Sequence, residues 1–234
     1  MRLADLVEGR LIRRRNRFVA DVELLDGSRV TAHCPNTGSL LGVTTPGRPV
    51  WIRDSKNPER THRYSWVLAK PGRALVCVDT GVPNRVVTDF ARAQKIPELA
   101  GFHEYKQEVP YGKNSRIDLL CRVHRDDMLR RVWVEVKSTT LARDRVAQFP
   151  DAVTTRGRKH LVEMAKVVAA GDEALQLYFI QRGDCDVFRP ADDIDPEYGK
   201  ELRHAAKAGV KILALEARIT KQSITIKRPI PVEL

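Results

Sequence analysis

The sequence has few of the features that mark secreted or membrane-inserted proteins. Its 234 residues include only four cysteines, which are widely spaced and form no C-x-x-C pair. A chain of this length can bury a large core without disulfides or structural metal, so we expect reduced, mostly buried thiols. No apolar run reaches the length of a membrane span, and the N-terminal stretch mixes acids and arginines where a signal peptide is apolar. These absences predict a cytoplasmic protein that does not enter a membrane.

Three common catalytic signatures are also absent. The chain contains no phosphate loop, no G-x-G-x-x-G dinucleotide motif and no G-x-S-x-G nucleophile elbow. Nucleotide hydrolysis by a phosphate-loop enzyme, dinucleotide binding and serine hydrolase chemistry are therefore disfavoured. His33 and Cys34 are adjacent, but two ligands without further donors nearby do not make a metal site.

Positive charge is abundant. Forty-one lysines and arginines oppose 30 acids, a formal net charge of +11, and the excess lies on both sides of residue 82. A polyanionic partner is the natural inference, and nucleic acid is favoured over an anionic membrane because no basic amphipathic helix of the membrane type stands out. The alternative is that the basic residues serve solubility alone.

The pattern of apolar and polar residues changes near residue 83. From residue 9 to about residue 80, short alternating runs are separated by turn signals, which is typical of a small β-barrel or sandwich. Helical and strand patterns are mixed after that point, which predicts an α/β domain. We therefore expect two domains, residues 1–82 and 83–234. The turn signals are Asp26-Gly27, Pro46-Gly47, Asn57-Pro58 and Pro71-Gly72, and the predicted helices span residues 86–99, 155–170 and 196–209.

The stretch VWVEVKSTT, residues 132–140, places two opposite charges inside an otherwise apolar strand, and the earlier apolar run SRIDLLCRV contains one aspartate. If a turn at Asp126-Asp127 joins the two runs as a hairpin, Asp118 lies directly opposite Glu135 on the same face, with Cβ atoms about 5 Å apart. Two carboxylates at that distance repel each other. A bound divalent cation, Mg²⁺ or Mn²⁺, would remove the repulsion and leave coordination positions for water and phosphate.

Strand alternation sends Trp133, Glu135 and Lys137 to one face and the valines between them to the other. The ammonium of Lys137 therefore points toward the metal, where it can orient an attacking water or offset phosphate charge. We predict Asp118 and Glu135 as metal ligands, and these two carboxylates with Lys137 as the catalytic residues. The alternative is a surface ladder of ion pairs that also includes Arg116.

A third acid often completes such a site. Glu98 and Glu108 are the candidates in the sequence, and the pattern places neither of them relative to the hairpin.

An aspartate in one strand followed by Val-Glu-Val-Lys in the next resembles the PD-(D/E)xK nuclease superfamily, with Ile117 where the label has proline. Four segments in order, HCPNTGSL, YGKNSRIDLL, VEVKSTTL and FPDAVTTRGRKHL, resemble the sugar fermentation stimulation protein A family over nearly the whole chain. The resemblance implies a mixed α/β protein with an N-terminal OB-like β-barrel followed by a PD-(D/E)xK nuclease-like domain. One position departs from it, because we expect an acid where this chain has Thr155.

Two basic clusters are candidates for nucleic-acid binding. The first lies on a predicted barrel strand, where such side chains could follow a phosphate backbone and aromatic side chains could stack on bases. The second lies in the first turns of the helix near residue 155, where positive charge opposes the helix dipole and a phosphate would offset the cost. The alternative is that both are solvated cations. The residues are Arg13, Arg14, Arg15 and Arg17 in the first cluster and Arg156, Arg158 and Lys159 in the second.

Charge, hairpin and resemblance together favour a protein that binds DNA with little sequence specificity. The enzymatic hypothesis adds a Mg²⁺- or Mn²⁺-dependent phosphodiesterase, that is, nuclease, activity. The alternative, also implied by the resemblance, is a non-catalytic DNA-binding regulator of sugar (maltose) metabolism that retains the nuclease fold. Both hypotheses have DNA as the partner.

Overall fold

The N-terminal part of the chain, about 80 residues, forms a small β-barrel. The structure is a computed structural model that describes residues 1–57, 59–112 and 115–234. Alternating apolar side chains, interrupted by turns, produce short strands, as predicted. One of the predicted turns, Asn57-Pro58, includes Pro58, which lies outside the described residues. Six strands, β1 to β6, span Leu6–Arg15, Val19–Leu24, Arg29–His33, Pro49–Asp54, Tyr64–Ala69 and Val76–Cys77.

The strand order β3-β2-β1-β4-β5 is closed into a barrel by a short parallel pairing of β3 with β5, in which Ala32 and His33 lie opposite Tyr64 and Ser65. A register shift in β1 between Leu11 and Arg13 allows the strand to bend around the barrel. The interior is filled by side chains such as Leu11, Ile52 and Trp66, all of them buried. The expected OB-like barrel is confirmed.

The rest of the chain is a mixed α/β unit with three α-helices among the described residues. Its large sheet has the order β15-β14-β12-β9-β8-β7, in which β9, β12 and β14 run parallel and the other pairs are antiparallel. The helices α1, α2 and α3 span Val82–Arg92, Thr155–Ala169 and Pro196–Lys207. The strands β7 to β15 span Phe102–Tyr111, Ser115–Arg125, Met128–Thr139, Leu141–Arg143, Val146–Phe149, Glu173–Ile180, Val187–Pro190, Lys211–Ile219 and Ile224–Ile230.

Two local predictions needed correction. The helix predicted over residues 86–99 begins earlier, at Val82, because Pro83 fits the first helical turn, and it ends at Arg92; Pro97 then starts a separate 3₁₀ turn. Strands β10 and β11 were not predicted. They are only three and four residues long, too short for an alternating pattern, and they form a small second sheet with β13.

The barrel and the large sheet share one hydrophobic core. Trp51 and Leu68 of the barrel pack in the same cluster as Val86 of α1 and Leu215 of β14. The N-terminus adds backbone hydrogen bonds to the loop before β15, for example from the Leu3 N–H to the carbonyl of Gln222. The contact between the two units is therefore extensive, and the boundary expected at residues 82 and 83 stays a prediction.

Burial agrees with the thiol prediction, since all four cysteines are buried. Among the described residues, no helix combines the length and the apolar character that crossing a membrane requires.

Candidate active site

The hairpin that carries the predicted site is present in the structure. Asp126 and Asp127 form its turn with positive φ angles of 49° and 58°. Leu119 of β8 lies opposite Val134 of β9, which is the predicted register. The ladder of paired residues ends there, and the next residue, Asp118, uses its side chain instead: its Oδ2 accepts a hydrogen bond from the backbone N–H of residue 136 at 2.8 Å.

Alternation along β9 divides its side chains between two cores. Val132, Val134 and Val136 belong to the core that contains α1 and part of the barrel. Trp133 packs in the core beneath α2, and Glu135 meets α2 directly. The predicted separation of the β9 side chains is confirmed: Glu135 lies on the side of α2, whereas the Asp118 carboxylate accepts from Asn84 of α1.

Glu135 is the centre of the site. Its side chain is almost completely buried, and its Oε1 lies 2.5 Å from the Nζ of Lys137 and 2.5 Å from the Nδ1 of His160. Its Oε2 is also buried but has no hydrogen-bond partner among the described residues. Lys137 and His160 therefore orient the carboxylate by one oxygen and leave the other available.

Asp118 is held beside Glu135 in a charged form that costs free energy. The Asn84 side chain of α1 donates to its Oδ1 at 3.0 Å. Burial and the negative charge of Glu135 raise the pKa of Asp118 to about 6. Burial alone would also raise the pKa of Glu135, but Lys137 and His160 outweigh it and lower that pKa.

Further polar side chains surround the pair. Burial and the charges of Glu135 and Glu163 raise the pKa of Tyr111 above its usual range, and the Tyr111 hydroxyl is buried without a partner among the described residues. Gln176 of β12 is the register partner of Glu135, and its Oε1 is likewise buried without a described partner. Such unpartnered buried atoms are uncommon in folded proteins, and their concentration here indicates a place where water or a ligand belongs.

Glu163 is the additional acid at this place. It is buried on α2, one turn after His160, and a side chain at Gly112 would collide with its carboxylate. Among the described residues, no side-chain hydrogen bond joins Glu98 in the 3₁₀ turn or Glu108 in β7 to Asp118 or Glu135. Within residues 1–57, 59–112 and 115–234, no group of three or more His, Cys, Asp or Glu side chains is close enough to enclose a metal ion.

The arginines of the first basic cluster differ in availability. Arg13 and Arg15 both pair with Asp21, at 2.8 Å in each case. Arg14 donates instead to the backbone carbonyls of Asn36, Gly38, Ser39 and Arg17, so its guanidinium is committed to holding the HCPNTGSL loop. Contacts of Arg13, Arg14, Arg15 and Arg17 with nucleic acid stay predictions.

The second basic cluster lies where it was predicted. Thr154 caps α2, and its hydroxyl accepts from the Gly157 N–H at 3.0 Å. Arg156 donates toward the Nε2 of His160 at 3.4 Å, which connects this cluster through His160 to the buried carboxylate of Glu135. The role of Arg156, Arg158 and Lys159 in binding nucleic acid stays a prediction.

The aromatic candidates for base stacking on the barrel are Phe18, Trp51, Tyr64 and Trp66. Trp66 is completely buried and Trp51 nearly so, Tyr64 is partly buried against the barrel core, and Phe18 is half exposed. Phe18 is therefore the most accessible stacking candidate of the four.

The loop at Asn36–Leu40 and the segment around Asp151 are far apart in sequence but meet in the fold. The Ser39 hydroxyl donates to the Asp151 carbonyl at 2.6 Å, and the Leu40 N–H donates to the Asp151 carboxylate at 2.8 Å. A polar cleft of about 340 Å³ lies between them and extends to Ser138, the residue that follows Lys137.

Fold and site together define a class of protein: an OB domain followed by a mixed α/β domain whose central hairpin carries a buried glutamate with a half-buried aspartate and a half-buried lysine. The family profile described as the SfsA N-terminal OB domain matches residues 12–78, and the profile described as the sugar fermentation stimulation protein RE domain matches residues 81–223. The chain belongs to the sugar fermentation stimulation protein A (SfsA) family.

Similar proteins cover the chain from end to end. A sugar fermentation stimulation protein homolog from Maricaulis maris is 48% identical over 231 residues, covering 98% of this chain and 97% of the relative. A homolog from Pelobacter propionicus is 44% identical and covers 100% of both chains. The structure of Pyrococcus furiosus SfsA in complex with Ca²⁺ matches with a TM-score of 0.89 and 26% identity, covering 100% of this chain and 98% of that one.

The structure predicts that Arg14→Gln lowers the free energy of unfolding by about 2–3 kcal/mol, because several loop carbonyls lose a charged donor. Arg13→Gln is the matched control: its side chain is 67% exposed in the pair with Asp21, so we expect a change of at most about 0.5 kcal/mol. Urea denaturation of both variants measures the difference. Equal midpoints would show that the loop does not depend on Arg14.

Asp118→Asn should stabilise the protein at pH 7 to 8 in chelating buffer, by roughly 1–2 kcal/mol. The folded pKa of about 6 exceeds the ordinary value of 3.8, so ionisation of Asp118 opposes folding. This penalty is fully present above about pH 6 and is lost as the pH falls to about 4. The stabilising effect of the substitution should therefore fade over the same interval in thermal melts.

Asp186→Asn is the control, because the pKa of Asp186 is shifted in the opposite direction to that of Asp118. Arg145 and Arg228 lower the pKa of Asp186 to about 2, so neutralising it should not stabilise the protein at any pH. Stabilisation by both substitutions alike would indicate a general charge effect and contradict the repulsion between Asp118 and Glu135.

Proposed function

We propose that the protein binds DNA and hydrolyses its phosphodiester bonds with a divalent cation, Mg²⁺ or Mn²⁺, held by Asp118 and Glu135, and with Lys137 as the third catalytic residue. The observation that carries the proposal is the difference between the two oxygens of one carboxylate. Glu135 Oε1 is held by Lys137 and His160, while its Oε2 is buried and unpartnered among the described residues.

The residues present fit a hard cation. Mg²⁺ prefers oxygen ligands and needs only one or two protein carboxylates, because water and phosphate oxygens complete its shell. Asp118 and Glu135 supply two carboxylates whose mutual repulsion a cation would relieve, as the raised pKa of Asp118 indicates. The absence of a third close ligand among the described residues is compatible with an ion that keeps several waters.

The protein groups have separate tasks in this proposal. Asn84 and the backbone N–H of Val136 fix the orientation of Asp118, and His160 fixes that of Glu135. Lys137 places an ammonium beside the carboxylates, where it can orient a water and offset the charge of a phosphate. A bound cation would polarise the phosphodiester and favour ionisation of the attacking water.

DNA as the substrate is supported by charge and by the fold. The formal net charge is +11, and OB barrels commonly bind oligonucleotides. The Pyrococcus furiosus structure is described in complex with Ca²⁺, which, like Mg²⁺, is a divalent cation that prefers oxygen ligands. We infer that binding depends mainly on phosphate contacts and has little sequence selectivity.

A second candidate function is a non-catalytic DNA-binding regulator of sugar metabolism. It is favoured by the 2.5 Å ion pair between Lys137 and Glu135, which already neutralises part of the site without any cation. In this case the carboxylates would be a structural remnant of a nuclease fold.

Glu135→Gln should separate the two functions through DNA-binding isotherms with chelator and with Mg²⁺ at matched ionic strength. The variant loses one negative charge, so in chelator it should bind DNA at least as tightly as the wild type. Mg²⁺ should tighten binding by the wild type and not by the variant, because the ion would link carboxylates to phosphate. Glu197→Gln, on the exposed face of α3, should behave like the wild type. Equal weakening of all three proteins by Mg²⁺ would rule out the metal site.

Relaxation of supercoiled plasmid tests the enzymatic step. The wild type should cleave with Mg²⁺ or Mn²⁺ and not with chelator. We expect Lys137→Gln and Glu135→Gln each to reduce the rate by about 100-fold or more, since each removes a group that positions water or cation. DNA binding without cleavage under any of these conditions would favour the regulator.

A further inference from the structure

A basic groove of about 520 Å³ lies between the barrel and the large sheet. One wall is formed around Trp51 of β4 and the turn after β5, and the other by the end of β14 and the turn that leads to β15. In the sheet, β12 separates β14 from β9, which carries Glu135. Ala217 in the groove belongs to the core shared with the barrel, whereas Glu135 faces α2. The groove is thus a different place from the candidate active site.

Three cations of the groove have no counter-charge. Lys70, Arg73 and Arg218 are exposed and form no ion pair or side-chain hydrogen bond with any residue in the described part of the chain. Like charges gathered around one concave surface repel each other, and the surrounding low-dielectric walls concentrate their field. An anion in the groove would relieve this repulsion.

Among the described residues, Glu8 is the one acid that lines the groove, and it does not cancel this charge. The carboxylate of Glu8 accepts hydrogen bonds from Lys221 at 2.9 Å and from the indole N–H of Trp51 at 3.0 Å, so its charge is already matched. The Lys221 ammonium also lies 4.7 Å from the centre of the Trp51 ring, which holds it in place. A fifth cation, Lys227, pairs with the buried carboxylate of Glu216 at 2.9 Å.

We propose that this groove binds the phosphodiester backbone of DNA outside the candidate active site, with Lys70, Arg73 and Arg218 as the phosphate contacts. The inference rests on the proposed DNA binding and assigns part of the DNA contact to this groove. Cations from both walls, the barrel and the sheet, converge on the groove, and the whole chain has a formal net charge of +11. A long polyanion complements this arrangement better than a single small anion does.

The test uses the full-length protein in chelator with a 30-base-pair duplex at several salt concentrations. The groove variant combines Lys70→Gln, Arg73→Gln and Arg218→Gln, which preserve much of the side-chain length. We expect an affinity loss of about 10- to 100-fold near 0.1 M salt and a salt-dependence slope smaller by about 3, since three phosphate contacts are lost.

A control variant with the same change in net charge combines Arg60→Gln, Arg130→Gln and Lys200→Gln. These side chains are also exposed and have no ion pair or side-chain hydrogen bond within the described residues. The control should retain nearly the affinity and slope of the wild type. Thermal melts of the control variant should match the wild type, and those of the groove variant should match or exceed it, because no described contact is removed and the groove loses like charges that repel each other.

The possible outcomes separate the two proposals. Wild-type protein that does not bind the duplex would overturn the proposed DNA binding and the groove assignment with it. Wild-type binding together with equal losses in the groove and control variants would overturn only the groove. Tripolyphosphate serves as the small-anion probe: if the groove variant loses only tripolyphosphate binding and keeps its DNA affinity, the ligand is a small anion and the DNA assignment is wrong.

Discussion

A buried carboxylate shared among several secondary-structure elements is the constraint on which the site depends. Glu135 lies on β9, its Oε1 is held by Lys137 of the same strand and by His160 of α2, and its strand neighbour across the sheet is Gln176 of β12. An ionised carboxylate at this depth is tolerable only because two donors contact it. Asp118 adds a second negative charge that the protein does not neutralise fully, as its raised pKa shows.

The junction between barrel and sheet creates two further surfaces. Because the two units share a hydrophobic core, their polar rims come together around it. On one side, the loop held by Arg14 meets the segment around Asp151 and leaves a polar cleft. On the other, turns from both units form the basic groove. Both surfaces depend on the relative placement of the units and would not exist in either unit alone.

The distribution of positive charge is less uniform than the composition indicates. Arg13 and Arg15 share Asp21, and Arg14 is committed to backbone carbonyls, so the most arginine-rich segment is partly neutralised within the protein. Lys70 and Arg73 lie in a segment with fewer cations, yet they converge with residues of β14 on one groove. Position relative to partners, more than the number of cations in a segment, therefore decides where an anion can bind.

The sequence by itself determined the hairpin, its register and the face shared by Glu135 and Lys137, because a two-residue turn and the two-residue period of a strand leave little freedom. It also indicated the change from barrel to mixed α/β architecture. Only the tertiary structure decided the partners of the carboxylates. His160 and Asn84 lie 25 and 34 residues away from the acids they contact, and no local pattern links residues at such separations. Those contacts form only when helices pack on opposite faces of the sheet, and the same packing decides which arginines are paired inside the protein and which cations remain available.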